Sequence, residues 1–384
     1  MRARDAGVVV GTGTPGPGNA ITDVAGVAVG HATILRGDGR LVVGQGPVRT
    51  GVTIVVPHDG VIWEEPLFAG CHRLNGNGEL TGLEWVRESG MLMSPIGLTN
   101  THSVGVVRDA LIRSEVRVRP TGLFWGLPVV GETWDGMLND INGFHVGVEH
   151  VEEALAAASP GPVAEGGVGS GTGMICHGFK GGIGTASRVL APEAGSYTVG
   201  VLVQANHGRR ERLTVNGVRV GEAIPADEVP VPEEPRAPAT PATPRAPATP
   251  GAPGAAGAGS IIVVVATDAP LLPLQCGRLA QRAGLGVARI GGVGEHTSGD
   301  IFICFSTANR GMTSADIGTD VPLTMSLEAL VNSHITPLFD ATVEATEEAI
   351  VNCLVAAETM TGRDGIIAHG LDPGRLGDLV GASR

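Results

Sequence analysis

Hydrophobic residues are unevenly spread along this chain. The densest block is Ser260-Ile261-Ile262-Val263-Val264-Val265-Ala266, where β-branched residues occupy consecutive positions. Apolar side chains at both parities predict a strand buried on both faces. Further strands are predicted over 52–57, 197–204 and 301–306, each β-branched or apolar. Helical spacing predicts helices over 151–158, 272–283, 326–334 and 337–360. In the last, Val343, Ala349, Ile350, Cys353 and Leu354 recur at helical spacing, while Glu344, Glu347 and Glu348 lie mainly on other faces. Thr336 or a neighbour caps its start, Pro337 sits in its first turn and Gly362 closes it. Strands, helices and Gly-rich connectors together predict a layered α/β sandwich.

One stretch has neither period. Residues 223–259 carry almost no large apolar side chains, and the unit RAPATP occurs there twice, from Arg236 and from Arg245. Such a segment buries too little to offset its ordering entropy, so a disordered Pro-rich tract is expected. Composition sharpens this. The 384 residues include 60 Gly and 26 Pro, and ten of those prolines fall in this one tract. By itself the tract reads as an interdomain linker. It meets the predicted buried strand abruptly, at the Gly259–Ser260 bond.

Charge excludes whole classes. The net charge is −13 and aromatics are 3% of the chain, so the basic footprint and stacking platform of a nucleic-acid binder are missing. No apolar run approaches the ~18–20 residues of a membrane helix, and the N-terminus lacks a signal-like apolar region. The five cysteines are odd in number and scattered, which predicts reduced, buried thiols in a cytoplasmic protein with no disulfide framework, no zinc knuckle and no metal centre.

Several groupings carry candidate chemistry, each beside a plainer reading. At Gly259–Ser260 a serine hydroxyl can attack the preceding carbonyl, and water can then resolve the ester, leaving an N-terminal Ser260 whose amine is partly neutral near pH 7. The plainer reading is a linker junction. Ser298 and Asp300 share one side of an extended segment, ready to orient a hydroxyl or relay a proton, or else merely to cap a turn. Asn206 at a strand end can hold an oxyanion or simply take a turn conformation before Gly208. Glu132 and Trp134, in Gly131-Glu132-Thr133-Trp134-Asp135-Gly136, can bind a cation or form a packed turn. The Gly-rich run from Gly166 to Thr185 fails the phosphate-loop pattern, since Phe179 precedes Lys180 and Gly181 follows it. Its glycines are expected to allow close backbone approach. Lys180 is the only lysine among 26 basic residues, and it is either a required point charge or an ordinary surface residue.

These residues lie in ordered blocks that resemble the DmpA-type serine aminopeptidases, the family of β-peptidyl aminopeptidases and D-aminopeptidase/esterases. The blocks are ITDVAGVAVGH (21–31), NGNGELTGLEWVRESG (75–90), LTNTHSVG (98–105), GETWDGMLNDING (131–143), GTGMICHGFKGGIGTASR (171–188), VGVLVQANHG (199–208), GSIIVVVATDAPL (259–271), SGDIFICFSTAN (298–309) and EATEEAIVNCLVAAETMTGRDG (344–365).

The resemblance implies a four-layer αββα sandwich, similar to that of ornithine acetyltransferase and the N-terminal-nucleophile hydrolases. It implies one domain, 1–384, that cuts itself at Gly259–Ser260 into an α chain 1–259, ending in the 223–259 tail, and a β chain 260–384. Ser260 becomes the nucleophile, Asn206 the oxyanion donor, Ser298 a hydrogen-bond partner of the nucleophile and Asp300 its neighbouring carboxylate, where some relatives carry Glu. Glu132 faces the substrate's amino group. Trp134 stands where some relatives carry Tyr, and an indole only donates. The implied substrates are small peptides, amides or esters with a free amino terminus, with no cofactor, in a tetramer of αβ pairs. An acyltransferase on the same scaffold, an uncut binding protein and a nucleotide binder are the competing readings.

Overall fold

The computed structural model describes residues 1–118, 124–234, 259–312 and 323–382. In chain order its strands are β1 Ala28–Arg36, β2 Val48–Val56, β3 Leu67–Gly76, β4 Met91–Leu92, β5 Ile96–Asn100, β6 Val129–Thr133, β7 Ile175–Cys176, β8 Phe179–Lys180, β9 Gly182–Val189, β10 Thr198–Asn206, β11 Ser260–Thr267, β12 Gly299–Ser306, β13 Met360–Thr361 and β14 Ile367–Ala368. The helices are α1 Leu83–Ser89, α2 Val104–Val118, α3 Val148–Ala156, α4 Val220–Ala223, α5 Pro273–Arg289, α6 Thr336–Ala356 and α7 Pro373–Gly381.

Two sheets stack face to face. One has strand order β1-β2-β5-β6 and the other β4-β3-β12-β11-β10-β9. Three apolar layers separate the four structural layers. Val52, Ile54, Val107 and Val151 join the smaller sheet to α2 and α3. Ile96, Leu98, Leu202, Ile262, Val264 and Ile303 fill the space between the sheets. Ile261, Val263, Val265, Phe302, Leu279 and Ile350 join the larger sheet to α5 and α6. The expected αββα sandwich is the observed architecture. The unbroken run in β11 follows from it, because alternate residues serve two different cores.

Order in the larger sheet has a consequence. β11 and β12 come from residues after Gly259, yet they sit between β3 on one side and β10 on the other. Parallel β11 and β12 are joined through α5, as parallel strands require a crossover.

The helices over 151–158, 272–283 and 337–360 are present as α3, α5 and α6, with shifted ends. The last stops at Ala356, with Ala357 already extended, rather than at Gly362. Two of its glutamates, Glu347 and Glu348, are buried. Glu348 is fully buried and pairs with Arg4 and Arg188 at 2.7 and 2.6 Å, because the N-terminal segment lies over that face. Residues 326–334 form only the turn Asn332–His334. Their backbone bonds go outward instead of along a helix: Leu330 N donates to Pro270 O, and Leu330 O accepts from Gln275 Nε2.

Residues 223–234, counted above with the expected tail, are held against the fold. Ile224 is 1% exposed, Arg210 donates to the carbonyls of Ile224 and Val229, and Glu234 pairs with Arg363. One buried apolar side chain, two backbone carbonyls and one carboxylate tie this stretch to the fold. Residues 235–258 lie outside the described residues.

Candidate active site

Ser260 opens β11, directly across the antiparallel ladder from Asn206 in β10. Alternation along β11 gives Ser260 the same face as Ile262 and Val264, toward the space between the sheets. Its Oγ accepts a 2.9 Å hydrogen bond from Gly299 N at the start of β12. The preceding residue has no room for a side chain. A Cβ on Gly259 would lie 1.9 Å from Asn206 O and 3.2 Å from Asn206 Nδ2. Glycine at the junction is thus a packing requirement.

The Asn206 carboxamide is held from both ends. Oδ1 accepts from Ile175 N at 2.8 Å, and Nδ2 donates to Trp134 O at 2.9 Å. One partner donates and the other accepts, which fixes the orientation of the amide. One of the two Nδ2 hydrogens is spent on Trp134. The other remains for an acceptor brought to the Gly259–Ser260 junction.

Ser298 and Asp300 do come together, as their spacing predicts. Ser298 Oγ donates to Asp300 Oδ1 at 2.6 Å, and both residues are buried. Burial pushes the Asp300 carboxyl up to about 6, against the opposing pull of the Ser298 hydrogen bond. The hydrogen bond to Ser260 comes from the backbone of the residue between them, Gly299. Asn75 supports this corner, with Oδ1 accepting from Asp300 N at 3.3 Å and Nδ2 donating to Glu295 O.

Glu132 ends up close by through β6, where it pairs with Thr99 of β5. It is 3% exposed. Oε1 accepts from Glu79 N at 2.9 Å, and Oε2 accepts from the Thr101 hydroxyl. Burial raises its pKa and these two hydrogen bonds oppose the rise. A Cβ on Gly78 would be 2.9 Å from Glu132 Oε1 and 3.1 Å from Gly299 Cα, so the carboxylate stands about one residue's width from the backbone that holds Ser260. Each Glu132 oxygen has a lone pair left for a cation. Trp134 is half-buried and packs beside Met137, Leu138 and Ile366, with its carbonyl committed to Asn206. A cleft of about 400 Å³ opens beside this corner, and Arg73, Gly78, Glu79 and Arg87 are among its walls.

Other participants were not legible as site residues. Ile175 N, Trp134 O and Gly299 N act through backbone atoms and leave no side-chain signal. Asp135 is fully buried, and burial drives it to about 7 against hydrogen bonds from Thr50, Asn139 and Asn100. Lys180, far from being a surface residue, is fully buried. Among the described residues Cys176, His177 and His207 bring metal-type ligand atoms within 4.8 Å of one another. Burial holds the two imidazoles neutral and pushes the Cys176 thiol up to about 12.

The Gly-rich run behaves as a close-packing device. A Cβ on Gly182 would lie 1.8 Å from Gly166 O, and one on Gly184 would lie 2.0 Å from Ala349 O in α6. At the N-terminus, a Cβ on Gly11 would strike the Glu344 carboxylate.

Comparison with known proteins agrees with this geometry. The family model described as peptidase family S58 matches residues 19–368. The beta-peptidyl aminopeptidase BapA of Sphingosinicella microcystinivorans is 52% identical over 95% of this chain and 88% of its own length. That of Sphingosinicella xenopeptidilytica is 44% identical over 99% and 91%. Among solved structures, a Burkholderia sp. beta-aminopeptidase superposes with TM-score 0.88 at 52% identity, covering 100% of this chain and 99% of the other. The L-aminopeptidase D-Ala-esterase/amidase of Ochrobactrum anthropi, described as a variant of the Ntn hydrolase fold, gives 0.85 at 41% identity, covering 100% and 98%. The chain therefore belongs to peptidase family S58 and is a serine-type aminopeptidase.

Proposed function

We propose that this aminopeptidase acts on small peptides, amides and esters whose amino-terminal residue is a β-amino acid, through Ser260 freed by self-cleavage at Gly259–Ser260. The identity to two beta-peptidyl aminopeptidases supports the substrate class. The observation that carries the chemistry is the junction itself. A serine begins a buried central strand, its hydroxyl held by Gly299 N, behind a glycine pressed against Asn206.

In maturation, Ser260 Oγ adds to the Gly259 carbonyl carbon and the C–N bond breaks. The hydroxyl proton passes to the departing nitrogen, leaving an ester. Water then hydrolyses the ester, giving a Gly259 carboxylate and a Ser260 with free amine and hydroxyl. In turnover the same hydroxyl attacks the substrate carbonyl. The free Nδ2 hydrogen of Asn206 stabilises the oxyanion in both reactions. The new α-amine, with a reference pKa of about 7.7–8.0, accepts the hydroxyl proton, and the Ser298–Asp300 pair relays it. Glu132 pairs with the substrate ammonium, which restricts the enzyme to free amino termini. Hydrolysis of the acyl-enzyme completes the cycle.

The mature enzyme is assigned to the cytoplasm, as a homotetramer of αβ pairs. Five free cysteines support a reducing compartment. Among the described residues no helix is long and apolar enough to cross a membrane.

Paired anilides test the substrate class. Faster hydrolysis of an anilide bearing an N-terminal β-amino acid than of its α-L and α-D counterparts is expected. Exclusive cleavage of the α-amino acid substrates would reject it.

A further inference from the structure

The oxyanion donor assigned above is a flexible carboxamide, and its aim depends on what holds it. One end is fixed by Ile175 N, the first residue of the β7–β8 hairpin. That hairpin is only two residues deep on each side, which is too short to be rigid by itself.

Lys180, opposite Ile175 in the hairpin, supplies the missing rigidity. Its Nζ donates to Gly181 O at 2.7 Å, Met174 O at 3.0 Å and Gly171 O at 3.1 Å. Three N–H donors meet three carbonyls, so the ammonium is fully satisfied without a carboxylate. Those carbonyls lie before, beside and after the hairpin. Backbone bonds complete the frame: Lys180 N donates to His369 O, Gly181 N to Met174 O and His177 N to His207 O, the residue after Asn206. An arginine fork is too wide for three convergent carbonyls, and this chain keeps lysine here while using arginine at every other basic position. A buried cation with no counter-ion is costly, and a point charge organising carbonyls is a reason to retain it.

We infer that Lys180 is a positioning residue for the oxyanion site: it locks the 171–181 loop so that Ile175 N holds the Asn206 carboxamide toward the acyl carbonyl. This rests on the reading of Asn206 as oxyanion donor, and the two fail in different ways.

The test is a double-mutant cycle on the full chain with Lys180→Met, Asn206→Ala and both, reading the rate of self-cleavage of the uncut precursor and then kcat and KM of the cleaved product. Asn206→Ala should lower kcat by roughly 10²–10³-fold. Lys180→Met should lower kcat by roughly 10–100-fold with KM within about threefold, as expected for a misaimed donor and an intact Glu132 anchor. Lys180→Met should then cost almost nothing in the Asn206→Ala background, because it acts through that side chain. Equal losses in both backgrounds, or an unchanged kcat for Lys180→Met, overturn the inference. No effect of Asn206→Ala alone would instead reject the oxyanion assignment. If Lys180→Met does not fold, Lys180→Gln retains two donors and should show a smaller kcat loss of the same pattern. Wild-type kcat and processing in Lys180→Gln would contradict the role.

Discussion

Asp300 shows how a single buried carboxylate sets pH behaviour. Its pKa stands near 6 because burial disfavours its charge, with Glu295 adding to the rise and Ser298 opposing it. Proton relay needs the ionised form, so kcat, already falling as the Ser260 amine protonates below its reference of about 7.7–8.0, should fall more steeply as pH drops through about 6. Asp300→Asn should remove that steepening together with most of the activity. Stability runs the other way. An acid whose folded pKa is raised binds protons more tightly when folded, so its contribution is lost as pH rises from the reference 3.8 through about 6. Melting curves should therefore show Asp300→Asn gaining on wild type between pH 5 and 7. A parallel shift at both pH values would contradict this. Glu132 predicts a different kinetic signature. Glu132→Gln removes a charge-assisted contact to the substrate ammonium, about 1.5–3 kcal/mol, and should appear mainly as a KM increase of roughly 10–100-fold.

At the scale of elements, the legible parts were those whose side chains report their surroundings. β11 could be read because two cores claim its alternate residues, and Asn206 because a polar residue ends an otherwise apolar strand. The 326–334 segment could not. Its apolar spacing fits a helix, but its backbone partners are Pro270 and Gln275, which only the fold brings near. The burial of α6 glutamates was not legible for a related reason. Arg4 and Arg188 arrive from distant positions to neutralise Glu348. The glycines make a prediction at this scale. Gly184→Ala would push a methyl group into Ala349 O where β9 meets α6. A loss of about 1–3 kcal/mol is expected, read as a lower denaturant midpoint.

At the scale of the whole molecule, the sheet order allows the proposed cut at Gly259–Ser260 to leave one body. Strands β11 and β12 follow the cleavage site, yet they pair outward with β10 and β3, which precede it. The two chains left by the proposed cut would therefore be interleaved within one sheet and share all the cores that involve it. They should co-elute under native conditions and separate only in denaturant. Under the proposed cut at Gly259–Ser260, the tract that composition reads as a linker between two domains would instead be the end of one chain. The most direct test of this account is a denaturing gel with N-terminal sequencing of wild type and Ser260→Ala after long incubation at neutral pH. Wild type should give two fragments, the smaller beginning Ser260-Ile261-Ile262, and Ser260→Ala should remain a single inactive chain. An intact wild-type band, a different new terminus, or an uncut but active Ser260→Ala would contradict it.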